Sequence, residues 1–166
     1  MANEAPTLGF CFHLFNYIRM DNTNEMLSEH FSLEEMTRSG EALRRKIGNE
    51  PAAGQVENLR QLCLNVLEPV RRRFGATRIT SGYRCPELNE AVGGVADSQH
   101  IRGEAADIHI SDMEVGRKMF DFIRRHTDFD QLLFERRVKG GCRWLHVSYT
   151  TRRPNRHEAR GLEVNN

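Results

Sequence analysis

From Gln55 to Phe74 the apolar residues Val56, Leu59, Leu62, Cys63, Val66, Leu67, Val70 and Phe74 recur at the spacing of one face of a helix about five turns long. After Gly75 that rhythm stops. Apolar residues now come in strand-length runs at Thr77–Tyr83, Glu104–Ile110, Phe129–Glu135 and Arg143–Tyr149. One further helical pattern intervenes, from the capping box Ser111-x-x-Glu114 to about His126, with Val115, Met119, Phe122 and Ile123 as its buried face. The last two strand runs flank Arg136–Cys142, whose Gly140-Gly141 reads as a hairpin turn. Helices followed by hairpin-linked strands do not give the βαβ repeats of a doubly wound sheet. They predict an α+β fold, a small central antiparallel sheet with helices packed on it.

Local signals refine this outline. Ser32-x-x-Glu35 is a capping box opening a short helix that Gly40 interrupts. Pro69 should kink the long helix, because its ring removes a hydrogen bond and crowds the preceding turn. Pro86 to Val92 has room for one or two helical turns before Gly93-Gly94. Regular patterning begins only at Met26, so residues 1–25 are expected to be a disordered N-terminal extension. Residues 26–150 then form one domain and the Arg-rich residues 151–166 a loose polar tail.

Composition narrows the partners. The 166 residues carry a formal net charge of +1, which disfavours a nucleic-acid binder. Arg71-Arg72-Arg73 would splay around a helix and form no stripe. All but three of the 24 basic residues are nevertheless arginines, the side chain suited to bidentate carboxylate contacts. No run reaches the ~18–20 apolar residues of a membrane span. Leu8–Ile18 lacks the basic flank and cleavage site of a Sec signal. The chain is therefore expected to be made in the cytoplasm, acting elsewhere only if something releases it; a monomer is expected, although no sequence feature bears on oligomeric state. The four cysteines include no CxxC pair; Cys63 reads as core and the others as free thiols.

The chemistry concentrates in Ser98-Gln99-His100-Ile101-Arg102-Gly103-Glu104-Ala105-Ala106-Asp107 and in Trp144-Leu145-His146-Val147. His100, Asp107 and His146, gathered by a sheet, are three N/O ligands for one Zn²⁺ with a fourth position left open, the pattern of a catalytic site. Spacing alone leaves a second reading open, in which all three are ordinary hydrogen-bonded groups. Asp107 between Ala106 and Ile108 favours the metal, since a carboxylate among apolar residues is costly without a cation.

Taken in order, Ser81-Gly82-Tyr83-Arg84, Asn89, Gly93-Gly94, Ser98-x-His100-x6-Asp107 and Trp144-x-His146 resemble the zinc D-Ala-D-Ala carboxypeptidase family. The likeness is to its small single-domain type, common in bacteriophages and bacteria, and spans roughly residues 27–157. It implies the fold shared with hedgehog signalling domains and peptidoglycan stem peptides as substrates. It also implies zinc on His100, Asp107 and His146, Arg84 holding the developing oxyanion, and Ser98 touching substrate. Release through a phage holin would then bring such an enzyme to the cell wall. One position departs from the pattern. Where many members carry an acid three residues before the last histidine, this chain has Arg143, which cannot act as a base. The nearest acid is Glu135, which the proposed hairpin places beside His146. Its rival reading is a surface carboxylate paired with Arg136 or Arg143. The same departure supports a non-catalytic cell-wall or partner-binding module as the alternative function. His109 reads as a hydrogen-bonded sheet residue, Trp144 and Tyr149 as packing residues, and His13, His30, His126 and His157 as surface groups without partners.

Overall fold

The computed structural model describes residues 25–136 and 141–161. The expected extension, apart from Glu25, and the centre of the expected hairpin turn lie outside them. Helix α1 (Leu33–Thr37) opens where Ser32 accepts a hydrogen bond from the Glu35 amide. Gly40 does not interrupt this helix. The break falls at Arg38, and Gly40 begins α2 (Gly40–Arg45), capped by the Ser39 side chain. The long apolar face is continuous, but its helix is not. α3 (Ala53–Leu62) and α4 (Glu68–Phe74) are joined by a π-helical turn, Cys63–Leu67. Pro69 has no amide hydrogen to offer one turn back, and the Glu68 amide reaches the Cys63 carbonyl instead. The irregularity expected at Pro69 is thus absorbed one turn earlier. Leu59, Leu62, Cys63, Val66, Leu67 and Val70 all remain buried.

After β1 (Ile79–Ser81), the short α5 (Pro86–Ala91) and β2 (Ala105–Ile110), helix α6 spans Met113–His126. Its cap is Asp112, one residue beyond the expected serine, because β2 extends to Ile110 and leaves Ser111 in the bend. Val115 is 46% exposed rather than core. Gly116 faces the sheet instead, so close that a Cβ there would lie 2.6 Å from Ile110 Cγ2 and 2.8 Å from Phe134 Cζ. Strands β3 (Gln131–Arg136), β4 (Arg143–Ser148) and β5 (Glu158–Arg160) complete a five-stranded sheet of order β1-β2-β4-β3-β5. The first four strands pair antiparallel; β5 lies parallel to β3 at the edge. The fold is α+β.

β5 corrects the expectation of a loose tail from residue 151. Glu104 and Asp130 are fully buried carboxylates, and such groups need cations. The Arg-rich segment supplies them. Arg152 grips Glu104 with two hydrogen bonds of 2.6 and 2.8 Å. Arg153 and Arg156 both grip Asp130, at 2.6 and 2.7 Å. The described segment after Thr150 is thus packed onto the sheet through these arginines and β5.

Period-two alternation gives the sheet two different faces. Ala106, Ile108, Ile110, Leu132, Phe134, Leu145 and Val147 point into the core under α6 and the α3–α4 unit. Asp107, His109, Leu133, Glu135, Trp144 and His146 point the other way, into an open cleft of about 990 Å³.

Candidate metal centre

Two strand pairings build the centre. Asp107 on β2 stands opposite His146 on β4, and Ser81 at the end of β1 stands opposite Asp107. The chain then leaves β1 through Gly82, Tyr83 and Arg84. The Tyr83 amide bonds the Met36 carbonyl at 2.7 Å, and a Cβ on Gly82 would collide with that same carbonyl. Only glycine fits this approach. The Gly82 carbonyl is thereby held where His100 Nδ1 donates to it at 2.6 Å, which turns His100 Nε2 toward the strands.

The result is a triangle. His100 Nε2 lies 3.2 Å from His146 Nδ1 and 3.3 Å from Asp107 Oδ1, and the last two atoms lie 3.1 Å apart. A tetrahedral zinc with nitrogen and oxygen ligands at about 2.0–2.1 Å requires donor atoms about 3.3–3.4 Å apart, so the triangle has the right size. Its electronic character also fits. With Nδ1 of His100 committed to Gly82, a neutral His100 aims a bare lone pair at the Asp107 carboxylate. Burial depresses the His100 pKa, despite the opposing charge of Asp107, and so favours that neutral form. Burial pushes the Asp107 carboxyl up, but the charge and hydrogen bonds of the imidazoles, when protons sit on the facing nitrogens, outweigh it and hold the group well below the usual carboxylate range; a cation at the same point would replace those protons. Ionised oxygen and neutral nitrogen converge on one point, an arrangement a cation completes.

Arg84 and Glu135 border the same cleft. Arg84 Nη2 is 3.6 Å from Asp107 Oδ2, while its buried Nε has no partner among the described residues. Burial lowers the Arg84 pKa against the pull of Asp107 and Glu135, yet a guanidinium stays charged. Glu135 stands opposite Trp144, and Leu133 stands opposite His146, so Glu135 sits one pair along from the histidine on the same face. Its Oε2 accepts a 2.9 Å hydrogen bond from Trp144 Nε1. It forms no ion pair with Arg136 or Arg143 among the described residues. Arg143 also borders the cleft, although alternation assigns it to the opposite face. Ser98 is buried and lines the cleft, and its Oγ accepts from the His100 amide at 3.3 Å.

Several weaker readings change. The His109 and Trp144 side chains face the cleft rather than serving only the sheet. His30 is not partnerless, since its Nδ1 pairs with buried Glu68 at 2.8 Å. Ser28 Oγ and the His30 amide fill the other Glu68 oxygen, and these hydrogen bonds lower its pKa against the opposing effect of burial. His157 pairs with Asp128 at 2.9 Å. His13 lies outside the described residues. Two contributors escaped the sequence reading altogether. One is the Gly82 carbonyl. The other is Asn49, which bonds the Thr37 and Tyr83 carbonyls at 2.7 and 3.1 Å and accepts from the Cys85 amide at 2.7 Å. It clamps the segment that carries Arg84. A polar residue in a turn-rich stretch gave no signal for that role.

The sequence profile of the family described as peptidase M15 matches residues 29–148, well over half of the chain. The chain belongs to the peptidase M15 family. Membership implies a metallopeptidase acting on peptidoglycan-type substrates, the zinc D-Ala-D-Ala carboxypeptidase type that the motifs resemble. Comparison with curated proteins gives no match. The M15 match covers all three triangle residues, together with Arg84, Ser98 and Glu135, and it ends at Ser148, before the arginine-bearing segment.

Proposed function

We propose that this M15 peptidase is a zinc enzyme that hydrolyses a peptide bond of peptidoglycan stem peptides, as a D,D-carboxypeptidase or as an endopeptidase of the endolysin type. The observation that carries the reading is the donor triangle of 3.1–3.3 Å on the same sheet face as Glu135 and Arg84. His100, Asp107 and His146 would hold the metal, which supplies a Lewis acid for the carbonyl and acidifies water. Glu135 takes the proton of the attacking water and delivers it to the leaving amine. Its hydrogen bond from Trp144 fixes one carboxylate oxygen and leaves the other for the water. Arg84, buried and incompletely paired, donates to the oxyanion as it develops. Ser98 fixes the main chain of His100 and borders the substrate groove.

Metal analysis of the purified protein, paired with digestion of purified sacculi, tests the reading. One zinc per chain and release of peptide fragments are expected. Glu135→Gln should keep fold and zinc, since the amide oxygen still accepts from Trp144, but lose roughly 10²–10⁴-fold in turnover. Near-normal turnover would assign the base elsewhere. Zinc and stem-peptide binding with no hydrolysis by the unaltered chain would favour a binding module.

A further inference from the structure

One wall of the cleft, which joins Arg102 to the segment after the M15 match, has no role in the chemistry above. It is built from two buried carboxylates and the arginines they hold. Asp130 is gripped by Arg153 and Arg156, and Glu104 by Arg102 and Arg152. Arg102, Arg153 and Arg156 border the cleft. Their guanidiniums are anchored on one edge and open on another. Among the described residues no acceptor meets either Nη of Arg102, whose Nε alone bonds Glu104, or the Nε of Arg153. Arg156 spends Nε and Nη2 on Asp130, and only a 3.4 Å contact with Glu158 engages its Nη1. With Glu158 and its second partner Arg160 included, five arginines against three acids leave the wall positive. Of the acids bordering the cleft, Asp107 and Glu135 belong to the chemistry, Glu41 is held by Arg44 and Arg45, and Asp97 is exposed.

The wall's position is defined by β3. Leu133 is opposite His146; Gln131 lies two residues toward the wall and Glu135 two residues away from it. At a rise of about 3.4 Å per residue, Gln131 stands about 7 Å from the level of the metal ligand, the length of about two extended substrate residues. Gln99, adjacent to His100, donates to Asp130 Oδ2 at 2.9 Å and ties wall to centre.

We propose that Arg102, Arg153 and Arg156 form a carboxylate subsite, which binds a free carboxylate of the substrate within about two residues of the bond that is cut. This rests on the peptidase reading. Rigid guanidinium forks with unused donors, pre-oriented by buried acids, match a carboxylate bidentately. A stem peptide offers two such groups, the C-terminal carboxylate of D-Ala and the α-carboxylate of a γ-linked D-Glu.

The test compares three forms of one peptide, L-Ala-γ-D-Glu-L-Lys-D-Ala-D-Ala: unmodified, amidated at its C-terminus, and amidated at the D-Glu α-carboxyl. Binding to the full-length zinc-loaded protein is measured by calorimetry and cleavage by kcat/KM. One of the two amides should bind roughly 10- to 100-fold more weakly, which identifies the carboxylate bound. That penalty should shrink to a few-fold in Arg102→Gln and in Arg156→Lys. Arg102→Gln leaves Glu104 with Arg152 and Thr150, and Arg156→Lys keeps a cation beside Asp130, so both should fold. Equal affinity for all three peptides overturns the subsite, as does a variant that loses equally on all three. A penalty on binding without any cleavage sinks the peptidase reading and leaves the subsite. Cleavage without a penalty does the reverse, and a peptide neither bound nor cut sinks both.

Discussion

Asp130 accepts hydrogen bonds from two guanidiniums, from Gln99 and from the Arg156 amide, whereas Asp107 meets two imidazole nitrogens and one guanidinium at 3.6 Å. Asp107 borders the cleft and Asp130 is buried behind the arginines that do, and both are held well below the usual range against the opposing effect of burial. They reach that state by different means. Every partner of Asp130 brings a hydrogen, so the group is satisfied by the chain itself. Asp107 faces His100 Nε2, which offers it a lone pair unless it gains a proton, because the other ring nitrogen of His100 is committed to Gly82. The difference separates a structural carboxylate from a candidate ligand. Burial and a depressed pKa do not distinguish them, and the character of the neighbouring atoms does.

The largest effect should come from breaking the satisfied member. Replacing both Arg153 and Arg156 by alanine leaves Asp130 buried without a cation, and removal of a buried ion's partners costs about 3–5 kcal/mol. Urea denaturation should show that loss. A loss under about 1 kcal/mol would mean that Asp130 is not sealed from water. The unfinished member should behave differently, with an effect whose size is set by metal. In metal-free protein Asp107→Ala removes the carboxylate that faces Arg84 and the two imidazoles and should cost about 1–3 kcal/mol, less than the double arginine variant because this cluster is open to the cleft. In zinc at a thousand times the dissociation constant the parent chain gains about 4 kcal/mol. The variant should gain almost none. Thermal melts with zinc and with chelator measure both halves. An equal zinc gain in the variant would move the metal elsewhere, for instance to Glu29, His30 and Glu68.

The same contrast explains what the sequence discloses. β2, β4 and α6 carry apolar residues at strict periods, and His100, Asp107 and His146 lie within or beside them in a recognisable order. They were legible for that reason. The wall around Asp130 was not, because Arg156 is 26 residues from Asp130, Arg152 is 48 from Glu104, and polar residues in a loop have no period. Arginine abundance was the only trace, and it does not say which acid each one meets. The π-helical turn was hidden for the opposite reason. Its residues keep the apolar face of an uninterrupted helix, and only Pro69 marks the fault. Glu135 stands between these cases. Strand alternation put it on the correct face, but its tie to Trp144 needed the register.

The smallest effect is expected where the centre is held by main chain alone. Gly82 does two things at once: it passes close to the Met36 carbonyl, and its own carbonyl fixes His100. Alanine at this position must push the Ser81–Arg84 segment away from α1, because the atom it meets is backbone and cannot rotate aside. The 2.6 Å bond to His100 Nδ1 would then lengthen or tilt. Loss of such outer partners weakens metal binding about 10- to 100-fold while leaving the ligands present. Gly82→Ala should therefore bind zinc more weakly by that factor in a chelator competition. Gly40→Ala, where a Cβ meets nothing within 4 Å, should not. Asp130 and its arginines lie outside this path, so the cleft wall should keep its acid-to-arginine pairing in the same variant. Unchanged zinc affinity in folded Gly82→Ala would show that His100 is oriented by its neighbours on the strands, and that the centre needs no more outside support than Asp130 does.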